Sequence, residues 1–312
     1  MKVLVTGAGG FIGQVLCGQL LSDGLGGQRI DQLIGLDLQP PQMNDARWVP
    51  LAGSLTEPER MAQALQAMPD VVFHLASLPG GAAEAQPALG RAVNLQASMA
   101  LIEALERPVA PPRLILASTV AVYGADLPAC VDEQTPTAPG LSYGAHKRIA
   151  EILLADAVRR GRLQGASLRL PGVVARPGDG AGLMSAFMSQ LFWRLRDGQA
   201  LTLPVRPEGM AWWISAAQCA RNLRQAAASD LGALGPRCLA LMPALHLSVQ
   251  AVMAALARRY GQDRLALVHS EPDPKVERLF AQYPPLRTEL AERIGLRHDG
   301  DADGLVAAVL GG

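Results

Sequence analysis

Two hydrophobic patterns alternate along the first half of the chain. Short runs of consecutive apolar residues predict β-strands that are buried on both faces, and apolar residues spaced three or four apart predict helices. The predicted strands are Lys2–Thr6, Gln32–Asp37, Trp48–Leu51, Asp70–Ala76, Arg113–Ser118 and Ser167–Leu170. The predicted helices are one that carries Ile12, Val15, Leu16 and Leu20, and then Glu57–Met68, Val93–Leu105 and Tyr143–Arg160. This alternation predicts an α/β fold, with a doubly wound parallel sheet covered by helices on both faces.

The order is less regular after Pro171. Helices are predicted at Leu183–Asp197, Ala216–Ala228, Val249–Tyr260, Asp273–Tyr283 and Arg287–Ile294. We therefore expect residues 1–171 to form the sheet domain, with a segment at about 215–240 returning to it. Residues 172–312 are expected to form a smaller mixed lobe over the strand ends. The small-residue stretch Pro79–Gly90 is predicted to be a loop at the edge of a pocket.

Composition and charge exclude several classes of protein. Of 312 residues, 49% are hydrophobic and 18% are charged, which is typical of an ordered chain with a large core. The formal net charge is zero, which argues against a nucleic-acid partner. No apolar run is long enough for a membrane span, and the N-terminus lacks a signal-peptide pattern. The four cysteines form no C-x-x-C pair, so we expect no metal and a reducing, cytoplasmic setting.

A glycine cluster separates the first strand from the first helix. It reads Thr6-Gly7-Ala8-Gly9-Gly10-Phe11-Ile12-Gly13. Glycines at Gly7, Gly10 and Gly13 allow a tight turn and a close approach of the backbone to a pyrophosphate at the helix N-terminus. In a strand–turn–helix context, this pattern predicts a dinucleotide-binding loop.

Asp37 closes the second predicted strand, 24 residues after Gly13. A carboxylate at this place can accept hydrogen bonds from the adenosine ribose, and it repels a 2′-phosphate. Leu38 follows it, rather than an arginine. The sequence therefore favours NAD over NADP.

A second group of polar residues follows the fifth strand. Ser118-Thr119 ends that strand, and Tyr143 and Lys147 lie one helical turn apart on a later helix. A free tyrosine is a poor base at neutral pH, but a nearby ammonium and a nicotinamide cation stabilise its phenolate. Tyr143 could then move a hydroxyl proton while a hydride moves to or from the nicotinamide, and Thr119 would hold the reacting oxygen.

These residues resemble those of the extended short-chain dehydrogenase/reductase family. The resemblance covers about residues 1–177 and includes the glycine loop, Asp37, His74-Leu75-Ala76, Asn94, Ser118-Thr119, Tyr123-Gly124 and the Tyr143/Lys147 pair. It implies an NAD-binding Rossmann domain, a C-terminal substrate lobe and, commonly, a homodimer. The cofactor contacts that it implies are Gly7, Gly10, Phe11, Ile12, Gly13, Asp37, Ser54, Leu55, Leu75, Ala76, Asn94, Tyr143, Lys147, Pro171 and Val173. Ser54-Leu55 stands where members usually carry Asp-Leu.

Two features argue against the nucleotide-sugar enzymes of this family. Dehydratases place Asp-Glu after the catalytic threonine, whereas Val120-Ala121 follows Thr119 here. Nucleotide-sugar epimerases carry a Y-x-N-x-Y-G-P stretch after strand six. Here the stretch reads R-L-P-G-V-V-A-R-P-G from Arg169 to Gly178.

The later half is instead similar to the D-erythronate dehydrogenases of this family. That similarity implies oxidation of a four-carbon sugar acid at C2 to the 2-oxo acid with NAD, with Tyr143 as general base. Members carry an Arg-His pair before the tryptophan, but Met210-Ala211 stands there in this chain. An arginine is the natural partner of a carboxylate, and the open alternatives are Arg176, Arg194, Arg196 and Arg206. The candidate substrate contacts are Ser77, Thr119, Arg176 and Trp212.

Two other functions stay open from the sequence. One is a sugar or nucleotide-sugar epimerase that retains NAD through a full cycle, and the other is a non-catalytic NAD-sensing protein. By resemblance to the family, Met99–Leu105 and Ile149–Ala157 are the candidate helices for a homodimer seam, although either helix could be covered by its own chain.

Overall fold

A parallel sheet of seven strands forms the centre of the computed structural model, which describes residues 1–178, 180 and 183–311. The strands of the chain are β1 (Lys2–Thr6), β2 (Gln32–Asp37), β3 (Trp48–Ala52), β4 (Val71–His74), β5 (Arg113–Thr119), β6 (Gln164–Leu170), β7 (Gly172–Val174), β8 (Leu201–Leu203), β9 (Met210–Ser215), β10 (Leu239–Leu241), β11 (Leu245–Ser248) and β12 (Val268–Ser270). The central sheet has the order β10-β6-β5-β4-β1-β2-β3. The α/β doubly wound prediction is confirmed.

Helices cover both faces of this sheet, and other helices, such as α7, α9 and α12, pack in the smaller lobe described below. In chain order the helices are α1 (Phe11–Asp23), α2 (Pro58–Leu65), α3 (Gly80–Ala85), α4 (Pro87–Arg91), α5 (Ala97–Leu105), α6 (Ser142–Arg159), α7 (Ala186–Arg196), α8 (Ala216–Ala228), α9 (Val249–Tyr260), α10 (Pro274–Phe280), α11 (Glu289–Arg293) and α12 (Ala302–Leu310). Successive strand residues point to opposite faces, so Val3 and Val5 pack in the core with α1 and α8, whereas Leu4 packs with α5 and α6.

The strand register determines where the site lies. At the carboxyl end of β1, Thr6 pairs with Leu36 of β2 on one side and with His74 of β4 on the other. The strand order reverses between β1 and β4, and ligands of such sheets bind in the crevice outside the carboxyl ends at this point. The glycine loop, Asp37 and the segment after His74 are thereby brought to one edge of the sheet.

Residues after β6 build a smaller mixed lobe. In a three-stranded sheet, β9 pairs in parallel with β7 and antiparallel with β11, while β8 and β12 form a parallel pair. Phe192, Trp213 and Leu256 lie in the core of this lobe. Within the segment 215–240, α8 packs on the main sheet, and β10 pairs with β6 at the sheet edge.

Several predicted elements differ from the structure. The stretch Pro79–Gly90 was expected to be a loop, but it forms α3 and α4, because alanine and glutamate there support short helices. The predicted helix at Val93–Leu105 begins with a π-turn over Ala92–Gln96 before α5. The helix predicted at Glu57–Met68 ends at Leu65, and Met68 takes a left-handed conformation with φ of 54°. The helix α12 was not predicted from the sequence.

The two helices proposed for a dimer seam differ in exposure. Leu101, Ile102 and Leu105 of α5 are buried by their own chain. Ile149 and Ile152 of α6 are 40% and 52% exposed. The homodimer stays a prediction, and α6 is the helix that offers an apolar surface for it. Among the described residues, every helix is too short or too polar to cross a bilayer.

Candidate active site

The glycine loop is shaped by close backbone contacts. Gly7 has φ of 75°, a region that favours glycine, and its N–H donates to the carbonyl of Leu36 over 2.8 Å. A Cβ at Gly13 would lie 2.1 Å from the carbonyl oxygen of Gly7. A side chain at Gly13 would therefore push α1 away from the end of β1, and a side chain at Gly7 would meet the backbone of Leu75 and Ala76.

The N-terminus of α1 is open to an anion. Gly10 is its N-cap and provides no side-chain acceptor for the first-turn N–H groups. Those groups have no partner within the helix, and the helix dipole adds a partial positive charge beside them. Phe11 and Ile12 follow at the first two helical positions. The loop therefore fits the pyrophosphate of a dinucleotide.

Asp37 lies at the end of β2 beside the glycine loop. Its Oδ1 accepts a hydrogen bond from the N–H of Gln39 over 2.9 Å, and its carbonyl accepts from Gly53 over 2.9 Å. A Cβ at Gly9 would come within 2.8 Å of the same oxygen, so only glycine fits between the loop and this carboxylate. The carboxylate is thus fixed where a ribose attached to the pyrophosphate would lie.

The predicted cofactor contacts that follow β3 and β4 lie in different surroundings. Leu55 is buried in the core, and Ser54 Oγ lies 2.8 Å from Thr56 Oγ1. The chain turns away after β4, where Leu75 N donates to the carbonyl of Thr6 over 3.0 Å. This bond holds Leu75 and Ala76 against the glycine loop, and a Cβ at Gly7 would lie 2.6 Å from Ala76 N.

Asn94, a predicted cofactor contact, bonds to the segment that follows β4. It is fully buried, and its amide group bonds to both the N–H and the carbonyl of Leu78, over 2.7 and 2.9 Å. Both ends of the side chain are used in this way. Asn94 therefore holds the segment that carries Ser77.

His74 has a structural role at the carboxyl edge of the central sheet. Its Nδ1 lies 2.7 Å from Thr6 Oγ1, and its Nε2 lies 2.8 Å from Ser98 Oγ. Burial, together with the charge of Lys147, lowers the pKa of His74 to about 3. The ring is neutral at neutral pH and joins β1 to α5.

Tyr143 and Lys147 share the buried face of α6. The Lys147 Nζ lies 5.9 Å from the centroid of the Tyr143 ring. Burial lowers the pKa of Lys147 to about 8, and the charge of Glu151 opposes that effect. Burial raises the pKa of Tyr143, whereas hydrogen bonding to Ser77 and Thr119 and the charge of Arg176 oppose the rise. Burial, the larger effect, therefore favours the protonated phenol, and the three neighbouring groups favour its ionised form.

Thr119 ends β5 at the opening of a 3₁₀ turn. Its Oγ1 accepts from Ala121 N over 3.1 Å, which fixes the side chain toward α6. The neighbouring residue, Ser118, is 1% exposed and donates to Glu151 Oε1 over 2.5 Å. Because Glu151 lies one turn after Lys147, this bond ties the end of β5 to the helix of the Tyr143/Lys147 pair.

A buried ion pair supports this arrangement. Arg169 of β6 donates from Nε and Nη2 to the two carboxylate oxygens of Glu151, over 2.9 and 2.8 Å. Both side chains are at most 2% exposed, and the Arg169 guanidinium lies 4.7 Å from the centroid of Tyr123. Removal of one buried partner leaves an uncompensated charge.

Replacing Glu151 with Gln is expected to lower the free energy of unfolding by about 3–5 kcal/mol, because Arg169 would stay charged in the interior. Urea denaturation followed by circular dichroism measures this change. Asp156→Asn is the matched control on the same helix, since Asp156 pairs with Arg159 and Arg160 in solvent and its loss should leave stability nearly unchanged. Equal losses in the two variants would contradict the assignment.

A cavity of about 280 Å³ opens beside Tyr143. The sequence-predicted residues that line it are Ile12, Thr119, Tyr143, Pro171, Val173 and Arg176. The Arg176 guanidinium lies 5.2 Å from the centroid of the Phe11 ring, and its backbone N–H donates to Ser189 Oγ over 2.9 Å. Burial lowers the pKa of Arg176, and the proximity of Tyr143 opposes that shift. The Tyr143 phenol and the Arg176 guanidinium therefore line the same cavity.

The other three candidate arginines lie elsewhere. Arg194 donates to Gln199 over 2.8 Å, Arg196 to Asp197 over 2.6 Å, and Arg206 pairs with Glu277. Each is absent from the described lining of the cavity. Of the four candidates, the structure brings Arg176 to Tyr143.

Trp212 does not line the cavity, although it was a predicted substrate contact. It is 1% exposed, and its Nε1 donates to the carbonyl of Pro284 over 2.7 Å. Phe280 and Tyr283 line that side of the cavity instead. Sequence reasoning missed both, because they lie about 70 residues from Trp212 and form no motif with it.

Comparison with known proteins agrees with this geometry. A model of the NAD dependent epimerase/dehydratase family matches residues 3–223. A D-erythronate dehydrogenase of Cupriavidus necator is 36% identical over 99% of this chain and 98% of its own length. A D-erythronate dehydrogenase of Haemophilus influenzae is 28% identical over 91% of this chain and 90% of its own length.

A solved structure is also similar along nearly the whole chain. The nucleoside-diphosphate-sugar epimerase from Agrobacterium tumefaciens superposes with a TM-score of 0.91 and 30% identity. The match covers 98% of this chain and 92% of that protein. The chain therefore resembles relatives that are named as dehydrogenases and one that is named as an epimerase.

Proposed function

The chain belongs to the NAD-dependent epimerase/dehydratase family, and on that basis we propose that it is a dehydrogenase that oxidises a small sugar acid with NAD. The leading substrate is D-erythronate, oxidised at C2 to the 2-oxo acid, as the names of the two curated relatives suggest. The observation that carries the proposal is the position of Arg176, a cation in the cavity that holds Tyr143 and Thr119.

Arg176 supplies the recognition that an acid requires. A guanidinium offers paired N–H donors that fit a carboxylate, and it stays charged when it is partly buried. The stack on Phe11 and the bond from its backbone to Ser189 limit where the side chain can lie. A carboxylate bound there would place the adjoining C2 hydroxyl toward Tyr143, which explains how the site can function without an arginine at Met210-Ala211.

The remaining residues have complementary roles in this proposal. Thr119 accepts or donates a hydrogen bond at the reacting hydroxyl oxygen of the substrate. Tyr143 removes the proton of that hydroxyl. Lys147, buried beside Tyr143, stabilises the phenolate by its charge. When bound, NAD would supply the hydride acceptor for the substrate carbon that carries this oxygen. Ile12, Pro171 and Val173 exclude water from that end of the cavity.

We also propose that Asp37 selects NAD over NADP. Replacing Asp37 with Ala is expected to weaken NAD binding roughly 10- to 150-fold, since a hydrogen bond to a charged group contributes about 1.5–3 kcal/mol. The same change should raise the relative use of NADP, because a 2′-phosphate would no longer face a carboxylate. Initial rates with both cofactors measure the ratio. Asp31→Ala, at the opposite end of β2, is the control, and an unchanged preference in Asp37→Ala would contradict the assignment.

A substrate panel tests the proposed function. Purified protein is mixed with NAD and, separately, with D-erythronate, L-erythronate, both threonates and a UDP-sugar, and NADH absorbance is followed. A steady rise with one tetronate is the expected result. A UDP-sugar that is epimerised without net NADH, with none of the acids oxidised, would favour the epimerase alternative that the Agrobacterium tumefaciens structure represents.

A further inference from the structure

The segment 280–286, which starts at the last residue of α10, contributes Phe280 and Tyr283 to one wall of the cavity. Backbone bonds attach it to β9: Met210 N donates to the carbonyl of Ala281 over 2.9 Å, and Tyr283 N donates to the carbonyl of Met210 over 3.0 Å. The carbonyl of Tyr283 also lies 2.7 Å from His246 Nε2. Beyond it, Val131 N donates to the carbonyl of Pro285 over 3.0 Å. The wall is therefore held from three different parts of the chain.

The side chain of Tyr283 is held as firmly as its backbone. Its ring stacks on Trp212, with centroids 4.1 Å apart and an interplanar angle of 21°. Trp212 is itself fixed by its bond to the carbonyl of Pro284. One face of the Tyr283 ring is thus covered, and the remainder is partly exposed and lines the cavity. An aromatic side chain held in this way loses little conformational entropy when a ligand binds.

Tyr283 brings a neutral polar group to this wall. Of the two described lining residues from segment 280–286, Phe280 is apolar, and Tyr283 carries a hydroxyl. Burial raises the pKa of Tyr283 above its ordinary value, so the phenol keeps its proton at any working pH. It can donate a hydrogen bond to a hydroxyl oxygen, and it does not compete with Tyr143 as a base.

We propose that Tyr283 is a specificity residue whose hydroxyl binds a substrate hydroxyl beyond the reacting carbon, an inference that rests on the proposed oxidation of a sugar acid. Arg176 and Tyr283 then act on different parts of one molecule, the first on its carboxylate and the second on its polyhydroxylated end. A site built to hydrogen-bond a substrate hydroxyl rejects an analogue that lacks it, because a polar group of the protein would be left unpaired. Trp212 is a positioning residue that acts through Tyr283.

The test compares two acids of equal carbon number. D-erythronate carries hydroxyls beyond C2, and (R)-2-hydroxybutanoate lacks them. The ratio of kcat/KM for the two acids is measured for the wild-type protein and for Tyr283→Phe, which keeps the ring and its stack on Trp212. The wild-type ratio is expected to favour D-erythronate, and Tyr283→Phe should lower it about 5- to 10-fold, the effect of one net hydrogen bond. The matched control is Tyr260→Phe, which removes a hydroxyl that Arg259 contacts, outside the cavity lining.

The outcomes separate this inference from the proposed function. If the wild-type protein oxidises D-erythronate and Tyr283→Phe leaves the ratio unchanged, Tyr283 only packs and the inference is wrong. If the wild-type protein oxidises none of the tetronates in the substrate panel, the proposed function fails and the inference fails with it. Thermal melting of Tyr283→Phe beside the wild type verifies folding, and NAD binding verifies that the change is confined to the acid.

Discussion

Tyr143→Phe is expected to lower kcat by about 10²–10⁴-fold, the usual contribution of a positioned general base, while NAD binding is kept. In the proposed reaction the phenol acts on a proton, whereas the pyrophosphate of NAD is proposed to bind at the N-terminus of α1. In the structure, Tyr143 is near Ser77 and Thr119, and the charges of Lys147 and Arg176 are close to it. The phenylalanine ring fills the same space, so loss of the hydroxyl oxygen is the main change.

Single-turnover rates and NAD titration by fluorescence separate these two effects. Tyr123→Phe is a suitable control because Tyr123 is a second buried tyrosine, whose hydroxyl donates to the carbonyl of Asp132 over 2.7 Å. That variant should lose some stability and keep its turnover. Turnover of Tyr143→Phe equal to that of the wild type would exclude Tyr143 as the base.

The second large effect is expected at Arg176. Arg176→Leu should raise the KM for the acid substrate by about 30- to 5,000-fold, because truncating one partner of a buried charge pair costs about 2–5 kcal/mol. Arg176→Lys should recover part of this loss, since an ammonium keeps the charge but cannot bind a carboxylate through paired N–H groups. Steady-state kinetics with saturating NAD measure both variants.

Arg194→Leu is the matched control for Arg176. Arg194 lies on α7 and donates to Gln199, so its removal should leave the KM for the acid unchanged. NAD affinity is measured in parallel, because Arg176 stacks on Phe11 of the glycine loop. If Arg176→Leu weakens NAD binding and leaves the KM for the acid unchanged, Arg176 serves the cofactor and the proposed recognition of a carboxylate is wrong.

The first half of the fold was predictable because its signals are local. Each of strands β1 to β6 was located from a run of apolar residues, and α6 was predicted at Tyr143–Arg160 and observed at Ser142–Arg159. The glycine loop was recognised because its residues are consecutive and lie between a strand and a helix. Parallel pairing then brings Thr6, Asp37 and His74 to one sheet edge.

The smaller mixed lobe was less predictable because its strands are short and pair with strands that are distant in the sequence. β7, β8 and β12 have three residues each, too few for an alternating pattern to appear. The choice of Arg176 among four arginines also depends on tertiary structure. The place of Tyr283 in the cavity depends on tertiary structure even more, since it follows from a stack on Trp212 and a backbone bond to Met210.

Isotope transfer tests most directly whether hydride leaves C2 of a sugar acid in this cavity. D-erythronate that carries deuterium at C2 is incubated with the protein and NAD, and the reduced cofactor is analysed by mass spectrometry. We expect one deuterium in NADH and a 2-oxo acid as the other product. NADH without deuterium, or deuterium retained in a product of unchanged oxidation state, would contradict it.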